Sequence, residues 1–157
     1  MPEHLVGLIS DTHGLVRPAI ARVFDGVSRI LHAGDVGGAS VLRALEAIAP
    51  VDAVFGNVDD EHDPMLARER LVTIDRVTIH ISHGHELGRP TPALVLARYT
   101  GDIVMFGHTH RAALERDGLR IAINPGAAGP RRFDIQPSVA LLTIDAGQPH
   151  IRIISLT

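Results

Sequence analysis

Two histidines one residue apart, His108 and His110 in GDIVMFGHTHR, follow an apolar run and are competent metal ligands. The run 103–106, Ile-Val-Met-Phe, has the β-branched and aromatic content of a short buried strand between glycines. A strand places residues i and i+2 on one face, so continued extension would turn both imidazoles to the same side. Four other apolar runs end in the same grammar, a small residue and then a metal-competent side chain. LVGLIS precedes Asp11-Thr12-His13, ILHA precedes Gly34-Asp35, AVF precedes Gly56-Asn57, and TIHIS precedes His83. In open α/β sheets ligands bind outside the carboxyl ends of the strands, so the five ends are expected to converge.

Together these ends offer seven ligands, too many for one ion and enough for two if one carboxylate is shared. Asp35 is the expected bridge: its two oxygens can serve a cation on each side, and Gly34 lets the backbone come close. Asp11, His13, Asp35 and His110 then serve one ion, and Asp35, Asn57, His83 and His108 the other. Two divalent ions outweigh the two carboxylates, and the residual positive charge attracts phosphate. Such a centre, with ions about 3.5–4 Å apart, supplies hydroxide near neutral pH and stabilises both oxygens of an in-line displacement.

Positioning these residues calls for strands at 5–9, Arg29–His32 and 51–55, joined by a helix from Pro18 and one capped by Ser40 that runs to about residue 49. That βαβαβ start implies a partly parallel sheet. Strands at 71–74 and Val77–Ser82 follow, then a helix with Thr91 as N-cap and Pro92 in its first turn. Beyond Arg111 a period-two pattern at 119–123, 139–144 and 151–156 predicts mostly antiparallel sheet.

With 45% hydrophobic residues, the 157-residue chain suits one domain spanning 1–157. Ten prolines, fifteen glycines and few aromatics predict many turns around a Val/Ile/Leu/Ala core. A net charge of −3 argues against bulk nucleic-acid binding, and the lack of cysteine excludes disulfides and thiolate ligands. MPEHLVGLISDTHG lacks the features of a signal peptide, and no run approaches the roughly 18 apolar residues of a membrane span, so a cytoplasmic protein is expected.

The ordered blocks D-x-H, G-D, G-N, H and G-H-x-H, spread over residues 11–110, resemble the calcineurin-like metallophosphoesterase superfamily. The short chain, ISHGH and Ile123-Asn124-Pro125-Gly126 are similar to its small single-domain phosphodiesterase branch. The resemblance implies a four-layer α/β/β/α sandwich of two mixed sheets with helices outside, and the same ligand partition. It also implies hydrolysis of phosphate esters, foremost diesters, by a metal-bridging hydroxide. Mn²⁺ is the first choice of metal, with Zn²⁺, Fe or Ni²⁺ as alternatives, and a homodimer is an open possibility.

The chain departs from the family pattern twice. Val58 stands where many members carry a general-acid histidine, and Ala127 where close relatives carry serine. His85, two residues after His83, is the candidate to replace the acid; Asn57 and Arg131, the latter beside Arg132, are candidate substrate contacts. Aryl esters and diesters are therefore the expected substrates, because a poor alkoxide leaving group needs a proton.

Taken singly, these residues have plainer readings. Asp11 could cap a helix, Asn57 could serve a turn, His32 inside its strand reads first as a packing residue with support of the site as the alternative, and His4, His80 and His150 read as exposed or ordinary strand residues. His62, in the acidic run 59–63, reads as solvated. Among rival hydrolases, an amidohydrolase barrel needs a longer chain, and a metallo-β-lactamase site needs Asp-His after H-x-H, where this chain has Arg111-Ala112. The rival of another class is a non-catalytic metal-binding scaffold or interaction module on the same fold.

Overall fold

Apolar, β-branched runs punctuated by glycine and proline give short elements throughout. The computed structural model describes residues 3–132 and 134–156. In chain order these hold β1 (His4–Ile9), α1 (Pro18–Val23), β2 (Arg29–His32), α2 (Ala39–Glu46), β3 (Val51–Val54), β4 (Leu66–Ala67), β5 (Glu69–Ile74), β6 (Val77–Ser82), α3 (Pro92–Arg98), β7 (Ile103–Met105), β8 (Ala113–Asp117), β9 (Arg120–Asn124), β10 (Ser138–Asp145) and β11 (Gln148–Ser155).

One sheet runs β11-β10-β1-β2-β3-β4, the other β5-β6-β7-β9-β8. The expected parallel start is present: β1 pairs with β2 (Gly7↔Ile30) and β2 with β3 (Leu31↔Asp52). In the second sheet, parallel β6, β7 and β9 lie between antiparallel edge strands β5 and β8. The C-terminal third is antiparallel within β8–β9 and β10–β11, but it divides between the sheets, and β9 joins β7 in parallel.

Three details differ from the sequence reading. β8 is almost wholly exposed and β4 has two residues, so neither carries a legible alternation. α2 begins on Gly38, at φ 119°, and Ser40 lies inside its first turn rather than capping it. The turn into α2 is pressed against the loop after His13: a Cβ on Gly37 would lie 2.1 Å from Gly14 N, and the chain enters the helix directly from that contact. The cap on α3 is as expected, with Thr91 Oγ1 accepting from Leu94 N at 3.2 Å.

The layers follow from three apolar clusters. Between the sheets pack Val6, Leu8, Leu31, Val72, Ile79, Ile81, Met105, Ile123 and Leu142. Ile20, Phe24, Val41 and Leu45 of the first two helical segments cover Ile9, Ile30 and Val139 on one outer face. Val95, Leu96 and Tyr99 cover Val104, Phe106 and Ala122 on the other. The result is the four-layer α/β/β/α sandwich. Among the described residues no helix is long and apolar enough to cross a membrane.

Phe24 anchors the first helical layer. It is fully buried, and a Cβ on Gly7 would lie 2.9 Å from its ring. Phe24→Ala should therefore cost about 3–5 kcal/mol, read as a lower urea midpoint with an unchanged slope.

Candidate metal centre

All five predicted strand ends meet at the carboxyl edges of β1, β2, β3, β6 and β7. The chain reverses sharply there, and Asp11, His13, Asp35, His108 and His110 all have left-handed backbones, at φ 53°, 46°, 54°, 75° and 66°. Each such non-glycine conformation costs of order 1 kcal/mol and persists only where its surroundings enforce it. This corrects the expectation of continued extension past Gly107. β7 stops at Met105, and the two imidazoles diverge into different ligand groups.

In the first group, His110 Nε2 lies 3.3 Å from His13 Nε2 and 3.3 Å from Asp11 Oδ1, and His13 Nε2 lies 3.6 Å from Asp35 Oδ2. In the second, His83 Nε2 lies 3.2 Å from Asp35 Oδ2, 3.1 Å from Asn57 Oδ1 and 3.3 Å from His108 Nδ1. Metal–ligand bonds of about 2.0–2.2 Å would set neighbouring donors roughly 3.0–3.6 Å apart, the spacing found here.

Hydrogen bonding leaves these donors aimed at one another. His83 Nδ1–H donates to Ala33 O at 2.9 Å, so in the neutral ring Nε2 presents a lone pair to the oxygens of Asp35 and Asn57. Asp11 Oδ2 accepts from Ser10 Oγ (2.6 Å) and His108 N (3.2 Å), while buried Oδ1 has no hydrogen-bond partner. A cluster of acceptors with an orphaned carboxylate oxygen fits a cation.

Asp35 joins the groups differently from the two-oxygen bridge expected. Oδ1 accepts the Val58 N–H at 3.0 Å, and Oδ2 alone faces both His13 and His83. A Cβ on Gly56 would lie 2.0 Å from that Oδ1, and one on Gly107 would lie 2.2 Å from Ser10 Oγ. Glycine at both positions is what allows the loops to close.

Electrostatics follow the geometry. Burial would raise the Asp11 carboxyl, but the imidazoles of His110 and His13, the charge of His83 and the Ser10 hydroxyl hold it well below the usual carboxylate range. Burial would lower His83, yet Asp35 and Asp11 raise it on balance. For His108 and His85, burial and the charge of His83 push the imidazole down.

The sequence pattern of the calcineurin-like phosphoesterase superfamily domain matches residues 5–147. A probable metallophosphoesterase of Methanothermobacter thermautotrophicus is 34% identical, with 96% of this chain and 91% of that protein covered. A phosphodiesterase of Methanocaldococcus jannaschii is 30% identical over 77% of this chain and 82% of its own. Among solved structures, Vps29 of Chaetomium thermophilum superposes with a TM-score of 0.80 at 19% identity, covering 96% of each chain. The chain belongs to the calcineurin-like phosphoesterase superfamily.

On this superfamily member, a cleft of about 390 Å³ opens over the two groups and is lined by His13, Asp35, Asn57, His108 and His110 together with Val58, Thr109, Arg132 and Ile135. Three sequence expectations change here. Arg132 lines the cleft, whereas Arg131 lines a small pocket beside His110, Ala127 and Pro130. His85 opens the short 3-10 turn His85–Leu87, off the cleft lining, with its ring centre 5.4 Å from that of His83 and 6.3 Å from that of His108. His80, read as an ordinary strand residue, is buried, stacked on Tyr99 at 4.3 Å and paired with Glu69 at 2.7 Å; these three residues line a separate cavity.

The sequence reading also left supporting residues unassigned. Asn124 Nδ2–H donates to Gly107 O and Thr109 Oγ1, holding the GHTH turn from the N-P-G segment. His32 does more than pack: it is a latch. Gly34 N–H donates to its Nδ1 at 3.1 Å, so Nε2–H donates to Thr12 Oγ1 at 2.9 Å, and that hydroxyl donates to Val36 O at 2.7 Å. The neutral ring thereby ties the Asp11 loop to the Asp35 loop.

Burial lowers His32 to about 4, against the attraction of Asp11 and Asp59. Between pH 6.5 and 4 the unfolded chain therefore takes up a proton that the folded chain refuses, and stability falls as pH falls. The metal-free protein should lose about 3 kcal/mol across this window beyond what His32→Gln loses, measured by urea unfolding at each pH. Equal losses would show that the latch does not titrate this way.

Proposed function

We propose that the protein is a two-metal phosphodiesterase. The observation that carries this reading is Asp35 Oδ2, a single carboxylate oxygen facing two donor groups that together contain the seven side chains Asp11, His13, Asp35, Asn57, His83, His108 and His110. Two divalent ions held there, Mn²⁺ first, would supply Lewis acidity and a water nucleophile near neutral pH. The surrounding chain then selects and orients the ester. Arg132, flanked by Arg131, offers one cation to a phosphate oxygen, and the Asn57 amide offers a donor beside it.

Val58, 59% exposed, and Ile135 give the cleft an apolar side suited to an aryl or other apolar ester arm. Outside the ligand set, no carboxyl or imidazole group lines the cleft among the described residues. The leaving oxygen therefore departs without a side-chain acid, and stable leaving groups are favoured.

The likeness to Vps29 supports a second reading, an interaction module on the same fold. Retention of every donor side chain favours catalysis over that alternative.

Exhaustive chelation should abolish hydrolysis of bis-p-nitrophenyl phosphate, and added Mn²⁺ should restore it. Full turnover by metal-free protein would overturn the catalytic reading, and bound metal without turnover on any ester would favour the interaction module. Val58→His tests the leaving-group argument separately. Hydrolysis of alkyl monoesters should rise at least about tenfold relative to the nitrophenyl diester, part of the roughly 100- to 10,000-fold that a positioned acid provides. A wild type equally fast on both substrates would refute the substrate preference.

A further inference from the structure

Between the loop carrying Asp35 and the loop carrying Asn57, no backbone–backbone hydrogen bond is formed among the described residues. Three bonds join them, and every acceptor is a carboxylate. Val58 N–H donates to Asp35 Oδ1 at 3.0 Å, Val36 N–H to Asp59 Oδ2 at 3.0 Å, and Gly37 N–H to Asp59 Oδ1 at 3.1 Å. Asp59 Oδ2 also accepts from Gly56 N at 2.9 Å within its own loop. One side chain thus gathers three amides, two from the turn after Asp35 and one from the residue before Asn57.

The Asp35 loop is fixed to the Asp11 loop by independent means. Asp11 N donates to Gly34 O (2.9 Å), His13 N to Asp35 O (3.0 Å) and Gly14 N to Val36 O (3.0 Å), and the Thr12–His32 latch adds to these. The Asn57 loop has no such ladder to either. Its position relative to Asp35 rests on the two carboxylates, and Asp35 is itself a donor to both groups.

We infer that Asp59 is a positioning residue that sets the distance between Asn57 and Asp35, and so governs the second ion-binding group while leaving the first intact. Charge-assisted bonds to three backbone amides suit this task, because they fix a loop in three directions from one anchor. Asp59 lies outside both ligand groups and outside the cleft lining, so it acts through the placement of Asn57. This inference rests on the two-ion reading of the centre.

The test is equilibrium binding of Mn²⁺ to metal-free protein, with the unfolding free energy of the same metal-free samples measured alongside. Wild type should bind two ions; fewer would overturn the two-ion reading and this inference with it. Asp59→Ala should bind one ion at wild-type affinity and the second about 10- to 100-fold more weakly, the usual effect of removing an outer support. Asp59→Asn, which keeps one acceptor oxygen, should lose less at the second ion and nothing at the first. In either variant, two ions bound as in wild type, or both ions weakened equally, would refute the positioning role while leaving the two-ion reading standing. If Asp59→Ala does not fold, Asp59→Asn alone decides between selective and uniform loss.

Discussion

The centre depends on holding like against like. Imidazole nitrogens and carboxylate oxygens face one another at 3.1–3.7 Å around Asp35 Oδ2, and in the absence of a cation only protons on the imidazoles offset the crowding of these electron-rich atoms. Left-handed backbone at five of the seven donor residues adds to the cost. Against a total stability of about 5–15 kcal/mol for a domain, that strain is substantial. It is tolerated because the loops are short, start from buried strands and are strapped to one another.

The straps have a division of labour. Backbone ladders and the His32–Thr12 latch fix the Asp11 and Asp35 loops together. Asn124 fixes the GHTH turn, and Ala128 N and Gly129 N donate to Ser10 O and Asp11 O, docking the loop that leads to Arg132. Arg17 Nε–H adds a bond to Gly129 O at 3.0 Å. Glycines at 56, 107 and 129 remove the Cβ atoms that would keep these loops apart. The donors are thereby held by groups that do not themselves face the cleft.

What the sequence displays is the part written in side-chain type and strand period. The five blocks, the parallel start and the proline and threonine signals of α1 and α3 are all readable, because apolar runs and ligand chemistry leave a local mark. What it hides is written in backbone direction. Nothing in GHTH distinguishes an extended H-x-H from a left-handed turn, although the division of His108 and His110 between two groups is as expected. That a single oxygen of Asp35 faces both groups depends on the Val58 amide, 23 residues away, which occupies the other oxygen. Arg131 and Arg132 are neighbours with equal chemistry, and only the path of the loop decides which one lines the cleft. Asp59 looks like the start of a solvated acidic run, since three amide partners leave no residue pattern. β8 shows no period because it buries almost nothing.

Asp11 also bonds to a segment 97 residues further along, where His108 N meets Asp11 Oδ2 at 3.2 Å. Parallel pairings such as β7 with β9, and docking of the two sheets across the shared core, must both be in place before that contact exists. Loop-closure entropy is spent on these distant pairings before they return any stabilisation, which places such topologies among the slower-folding small domains. Each donor group draws on both sheets, so a folding intermediate with one sheet formed would hold only part of either. Both donor groups are thus complete only at the last stage of folding, once the sheets have closed on each other.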